Sequence, residues 1–143
     1  MIYAFDTDMF SLLVRGQAKV ALRYRELVTV DEHVFTVPAV VRIELLQGRF
    51  ASITKAADGE ALLHAYELLE RTEQAIRVYR ILPITQAVAD SFTQLRADKK
   101  LKKAGVKDLL IASIALAHGA TLATRNSKDF ALVAGLKLDN WAD

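Results

Sequence analysis

Four carboxylates in this chain stand where chemistry could be done: Asp6, Glu44, Asp108 and Asp129. Asp6 follows a short apolar run, Ile2 to Phe5. Glu44 shares a helically spaced face with Val40, Val41 and Leu45. Asp108 opens a strongly apolar stretch that continues to His118, and Asn126 and Asp129 follow another apolar run, Ala120 to Ala123. A carboxylate on the same face as Val41 and Leu45 is drawn inward, where it needs a cation or hydrogen-bond donors. Cysteine is absent, and His33, His64 and His118 are not spaced as ligand pairs. An all-oxygen set of this kind suits a hard divalent cation, Mg²⁺ or Mn²⁺. A cation so held can lower the pKa of bound water and offset charge during phosphodiester cleavage.

Each residue also has a plainer role open to it. Asp6 could be a helix cap. Asp108 could be a favourable charge in a first helical turn, and Asp129 a turn residue. The three histidines read as structural or surface groups. Neither a G-x-S-x-G elbow nor a G-x-x-x-x-G-K-[ST] phosphate loop occurs.

Hydrophobic periodicity says which elements must position these groups. It predicts strands over 2–5, 34–37, 78–82 and 120–123, with a short fifth over 136–138. Helices are expected after Asp6, over 17–28, from Pro38 as first helical residue to about 53, over 60–74, from 86 to about 102, and over 108–118. Thr85 can cap the fifth of these, and Gly119 stops the last. Short strands alternating with helices imply an α/β fold, a parallel sheet of four to five strands between two helical layers. Ligand sites in such sheets lie beyond the carboxyl ends of the strands, where Asp6, Asn126 and Asp129 fall.

The length, 143 residues, fits one domain over 1–143. The hydrophobic fraction of 52% and charged fraction of 25% are those of an ordinary globular chain. Lack of cysteine excludes a disulfide framework, a thiolate zinc site and a cysteine nucleophile. No apolar run approaches the ~18 residues of a membrane span, and the acidic start is unlike a secretory signal. A cytoplasmic protein with no membrane role is the expectation. The net charge of +2 does not by itself argue nucleic-acid binding. The cluster of Lys99, Lys100, Lys102, Lys103 and Lys107 beside Asp108 is more suggestive. It reads either as a solvated helix end or as a phosphate-steering patch.

Taken in order, these segments carry a resemblance. "IYAFDTDMF", "VPAVVRIELLQG", "KDLLIASIALAHGATLATRNSKDF" and "GLKLDNW" resemble the PIN-domain ribonucleases, specifically the VapC toxins of bacterial toxin–antitoxin pairs. The likeness spans nearly the whole chain, and its third segment is the most specific. It implies that Asp6, Glu44 and Asp108 are the core acidic positions, with the fourth corner shared between Asn126 and Asp129. Thr124 would orient a carboxylate or water. Asp8 stands where the family more often has Asn, and adds a carboxylate near Asp6. Further implications are a PIN-like three-layer fold, Mg²⁺- or Mn²⁺-dependent endonucleolytic cleavage of structured RNA such as transfer or ribosomal RNA, a homodimer, and an antitoxin that masks the site. Arg125, Lys102, Lys103 and Lys107 are then candidate contacts to the RNA backbone. Two rivals are a catalytically silent fold acting as an RNA- or protein-binding module, and an aspartyl-nucleophile phosphatase suggested by "DTD". The second lacks that family's later lysine and acidic pair. The apolar stretches Leu62 to Leu69 and Phe92 to Leu95 suit either a partner surface or ordinary core packing.

Overall fold

The apolar run at the start of the chain becomes the middle strand of the sheet. In the computed structural model, which describes residues 1–143, β1 (Ile2–Phe5), β2 (Val34–Pro38), β3 (Arg80–Leu82), β4 (Thr121–Ala123) and β5 (Lys137–Asp139) are all parallel, in the order β3-β2-β1-β4-β5. Tyr3, Ala4 and Phe5 are buried in succession, as a central strand covered on both faces requires. The helices are α1 (Thr7–Val14), α2 (Ala18–Val28), α3 (Ala39–Thr54), α4 (Gly59–Arg77), α5 (Gln86–Ala97), α6 (Val106–Ala117) and a short α7 (Ser127–Phe130). This is the α/β/α architecture expected from the alternation of strands and helices.

One face of the sheet is aromatic. Tyr3 and Phe5 project to the same side, as period-two alternation dictates, and both stack on Phe35, with centroids 5.6 and 6.3 Å away. Trp141, from the C-terminal tail, meets Tyr3 and Phe5 edge-on at 5.5 and 5.3 Å. Tyr24 of α2 meets Phe35 at 4.9 Å, and Tyr79 packs between Phe5 and Phe10. α6 packs against α3, α5, β2 and β4. Its residues Leu109 and Ile111 to Ala115 are all buried, so this helix is apolar nearly all round. An element held on so many sides fixes the position of its own N-terminus, where Asp108 lies.

Several boundaries differ from the sequence reading. The helix expected to reach Lys102 stops at Ala97. Asp98 adopts an extended backbone, and its carboxylate accepts from Lys100 N–H at 2.9 Å, capping a 3-10 turn over Lys99–Leu101. Buried Leu101 anchors that turn. α4 continues to Arg77, so β3 begins only at Arg80. Pro38 is the last residue of β2, paired with Leu82, and caps α3 instead of opening it. α6 starts at Val106, two residues before Asp108. The four residues of α7 are too few to leave a periodic signal.

Trp141 is 3% exposed, yet its indole N–H has no acceptor. Trp141→Phe is therefore expected to cost less than Trp141→Ala, since it leaves a smaller cavity and removes an unpaired donor. Trp141→Ala should cost about 3–5 kcal/mol. Urea unfolding followed by circular dichroism checks both; equal losses would contradict this ordering.

Candidate active site

The chain builds β1, β2 and β3 outward on one side, then crosses back to lay β4 on the other side of β1. The crevice between β1 and β4 is thus the switch point of the sheet, where open α/β folds place their ligands. Phe5 and Ala123 are in register across it. Asp6 and Thr124, the next residue on each strand, therefore meet just beyond the strand ends.

They are bonded to each other. The Thr124 hydroxyl donates to Asp6 Oδ2, and Met9 N–H donates to Asp6 Oδ1 at 2.8 Å. Asp6 is thus a helix cap and a site carboxylate at once; the two roles use different oxygens. Thr124 Oγ1 also accepts from Asn126 N–H at 2.9 Å, which fixes the chain as it enters α7. Thr124 is fully buried and Asp6 is 7% exposed.

Asp6, Thr7, Asp8, Lys107, Asp108 and Asn126 line a cavity of about 50 Å³ together with Ile111 and Phe130. Asp108 reaches it from the first turn of α6, and Asp8 from the first turn of α1. Burial holds the Asp6 carboxyl above its ordinary pKa; its two hydrogen bonds oppose the shift, and the charges of Asp8 and Asp108 add to it. Asp108 is raised in the same way, by burial first, with Asp129, Glu44 and Asp8 adding to the shift and Lys107 opposing it. These carboxylates crowd one another, and a bound cation would relieve their repulsion.

Glu44 and Lys107 are the departure from expectation. The sequence expectation for Lys107 is a contact to the RNA backbone. Its Nζ instead lies 2.7 Å from Glu44 Oε2, and this bond, above all, raises its pKa. Glu44 Oε1 is buried without a partner. Asn126 and Asp129 are also separated. Asn126 lines the cavity of Asp6, whereas Asp129 lines a neighbouring cavity of about 170 Å³ with Asp108, Lys100 and Lys103. Lys102 is exposed. Arg125 makes a surface ion pair with Asp143 at 3.3 Å, the kind that contributes little to stability. Thr7, whose hydroxyl is buried and unpartnered, faces the same cavity and was not singled out as a site residue. Its place between two acids in "DTD" was the available signal. His118 bonds Pro83 O at 2.9 Å and does not line this cavity.

The donor set fits a small hard cation. As placed, no three acidic or histidine side chains close a cage by themselves. Mg²⁺ does not require one, since it keeps several waters and is held by one or two carboxylates. Asp6 and Asp108 supply that pair.

A stability consequence follows from the burial of Asp6. Its pKa is raised in the folded chain, so ionising it costs stability as pH rises through that value, and the cost is absent below the unfolded value near 3.8. Asn caps helices as well as Asp. Without divalent metal, Asp6→Asn is expected to unfold a few degrees above wild type at pH 7, with the gap closing below about pH 4. Thermal melts at the two pH values check this; a lower melting temperature at pH 7 would contradict it.

Comparisons with known proteins place the chain in a family. The family model "PIN domain" matches residues 3–136. Ribonuclease VapC1 of Haemophilus influenzae is 30% identical over 142 residues, covering 99% of this chain and 98% of that protein. Among solved structures, VapBC2 from Rickettsia felis, bound to a DNA fragment from its promoter, superposes with a TM-score of 0.80 at 24% identity over 99% of both chains. FitAcB from Neisseria gonorrhoeae superposes at 0.75 with 28% identity over 98% of this chain and 97% of that one. The chain belongs to the PIN-domain family, on its VapC branch.

Proposed function

We propose that this chain is a Mg²⁺- or Mn²⁺-dependent endoribonuclease, the toxin of a toxin–antitoxin pair, acting on structured RNA such as transfer or ribosomal RNA. The observation that carries the reading is the buried Asp6 carboxylate, pinned by Thr124 and Met9 and facing Asp108 at the switch point. An ionisable group so confined destabilises the fold, and residues retained at such a cost usually serve function.

Asp6 and Asp108 would hold the ion. When bound, it supplies water of lowered pKa and offsets charge on phosphate oxygens. Thr124 would hold Asp6 in one rotamer at the wall of the cavity. Asn126 contributes a neutral amide to that cavity, and Asp129 acts on Asp108 through its charge. Gly105 leaves the N-terminus of α6 without a side-chain cap, so free backbone N–H groups are available to a phosphate. Lys100 and Lys103, beside Asp108 and Asp129, and exposed Lys102 would bind neighbouring phosphates without reading sequence.

The partner reading follows the relatives, whose solved structures include VapBC complexes. A VapB-type antitoxin and a second copy of the chain are the proposed partners, in the cytoplasm; no helix is long and apolar enough to cross a membrane. Leu62, Leu63 and Tyr66 on α4 and Phe50 on α3 are exposed apolar groups suited to such contacts. Phe92 and Leu95 are not, because they pack on the core.

RNA cleavage by the purified chain, free of any partner, tests the reading. Cleavage is expected with Mg²⁺ or Mn²⁺ and not with EDTA, and Asp6→Asn and Asp108→Asn should fall to background. Thr124→Val should lose about 10–100-fold, as for a residue that orients a metal ligand, and Thr124→Ser much less. Cleavage that persists in EDTA, or equal rates for wild type and Asp6→Asn, would sink it. Light scattering at micromolar concentration is expected to give the mass of two chains; one chain's mass would remove the dimer.

A further inference from the structure

The Lys107–Glu44 pair is the part of the site that the metal reading does not explain. Lys107 lies directly before Asp108 on α6 and lines the cavity of Asp6 and Asp108. Its ammonium sits 2.7 Å from Glu44 Oε2, while Glu44 Oε1 is buried and unpartnered. The ammonium thus occupies one Glu44 oxygen and leaves the other buried, so an ion reaching this carboxylate would lie against the positive charge of Lys107.

We propose, building on the metal-dependent reading above, that Lys107 serves as a built-in second cation: it holds Glu44 out of direct ligation and restricts the site to a single divalent ion at Asp6 and Asp108. Charge balance supports this. Asp6, Asp8, Glu44 and Asp108 carry four negative charges. With Lys107 in place, one divalent ion leaves the cluster at a net charge of −1, and a second would carry it to +1. Two-metal sites place their ions about 3.5–4 Å apart, with carboxylates shared between them. A second ion there would have to displace the ammonium from Glu44 and then sit beside it, with repulsion little screened in a partly closed cavity. The tether also favours Lys107, because a group on the same chain competes at an effective concentration far above that of a weakly bound free ion. Lys107 is in this sense a positioning residue. It acts on the site through Glu44.

Counting ions tests the proposal without reference to activity. Mn²⁺ is titrated into the full chain by calorimetry, and the saturated protein is examined by electron paramagnetic resonance. Wild type should bind one ion and give the spectrum of isolated Mn²⁺. Lys107→Met, a change at a half-exposed side chain that leaves the core untouched, should bind two and give the broadened spectrum of a coupled pair. Lys107→Met combined with Glu44→Gln should return to one, because the second ion depends on Glu44. Two ions in wild type, or one in Lys107→Met, would overturn the proposal and leave the metal-dependent reading standing. No ion in wild type would overturn both.

Discussion

The structure depends on one buried hydroxyl. Thr124 donates to Asp6 and accepts from Asn126 N–H, and so ties the end of β1 to the end of β4 and to the start of α7. The crevice between those strands exists because the sheet order reverses there. A crevice alone would leave Asp6 free to turn toward solvent or be spent wholly on capping α1. The hydroxyl takes one carboxylate oxygen and Met9 N–H takes the other, while Asp6 still lines a cavity shared with Asp108. Fold and chemistry meet in that division.

The same arrangement places carboxylates where they destabilise the metal-free chain. Asp6 and Asp108 are both pushed up by burial and by neighbouring acids. The rest of the fold must offset this, and the means are visible. α6 is buried on nearly every side, and the aromatic face of Tyr3, Phe5, Phe35 and Trp141 locks the central strands. Lys107 relieves part of the repulsion from within the site by pairing with Glu44. Rigid elements carry the acids, so the site need not be assembled by its ligand.

Much of this was legible in the sequence, for identifiable reasons. Buried parallel strands are near-continuous apolar runs, so Ile2 to Phe5 and Thr121 to Ala123 announce themselves. Polar residues directly after such runs fall at strand ends by construction, as Asp6 and Asn126 do. What periodicity could not convey was local competition for the backbone. Asp98 ends α5 by capping a 3-10 turn, and no pattern of apolar residues records that choice. α7 is a single turn. Side-chain pairing was equally hidden. Lys107 looked like one more member of a lysine cluster, because a sequence gives no sign that α3 brings Glu44 to it. The division of Asn126 and Asp129 between two cavities likewise depends on how α7 turns after Thr124, a matter of three-dimensional placement.

The most direct test of the account is where a divalent ion sits. A crystal of the chain soaked in Mn²⁺ and measured at the manganese absorption edge locates it by anomalous scattering. The account predicts a peak at direct bonding distance, about 2.1 Å, from carboxylate oxygens of both Asp6 and Asp108, with the Thr124 hydroxyl still on Asp6. A peak bound through Asp129 and Glu44 without Asp6, or no peak in the crevice at saturating Mn²⁺, would contradict it.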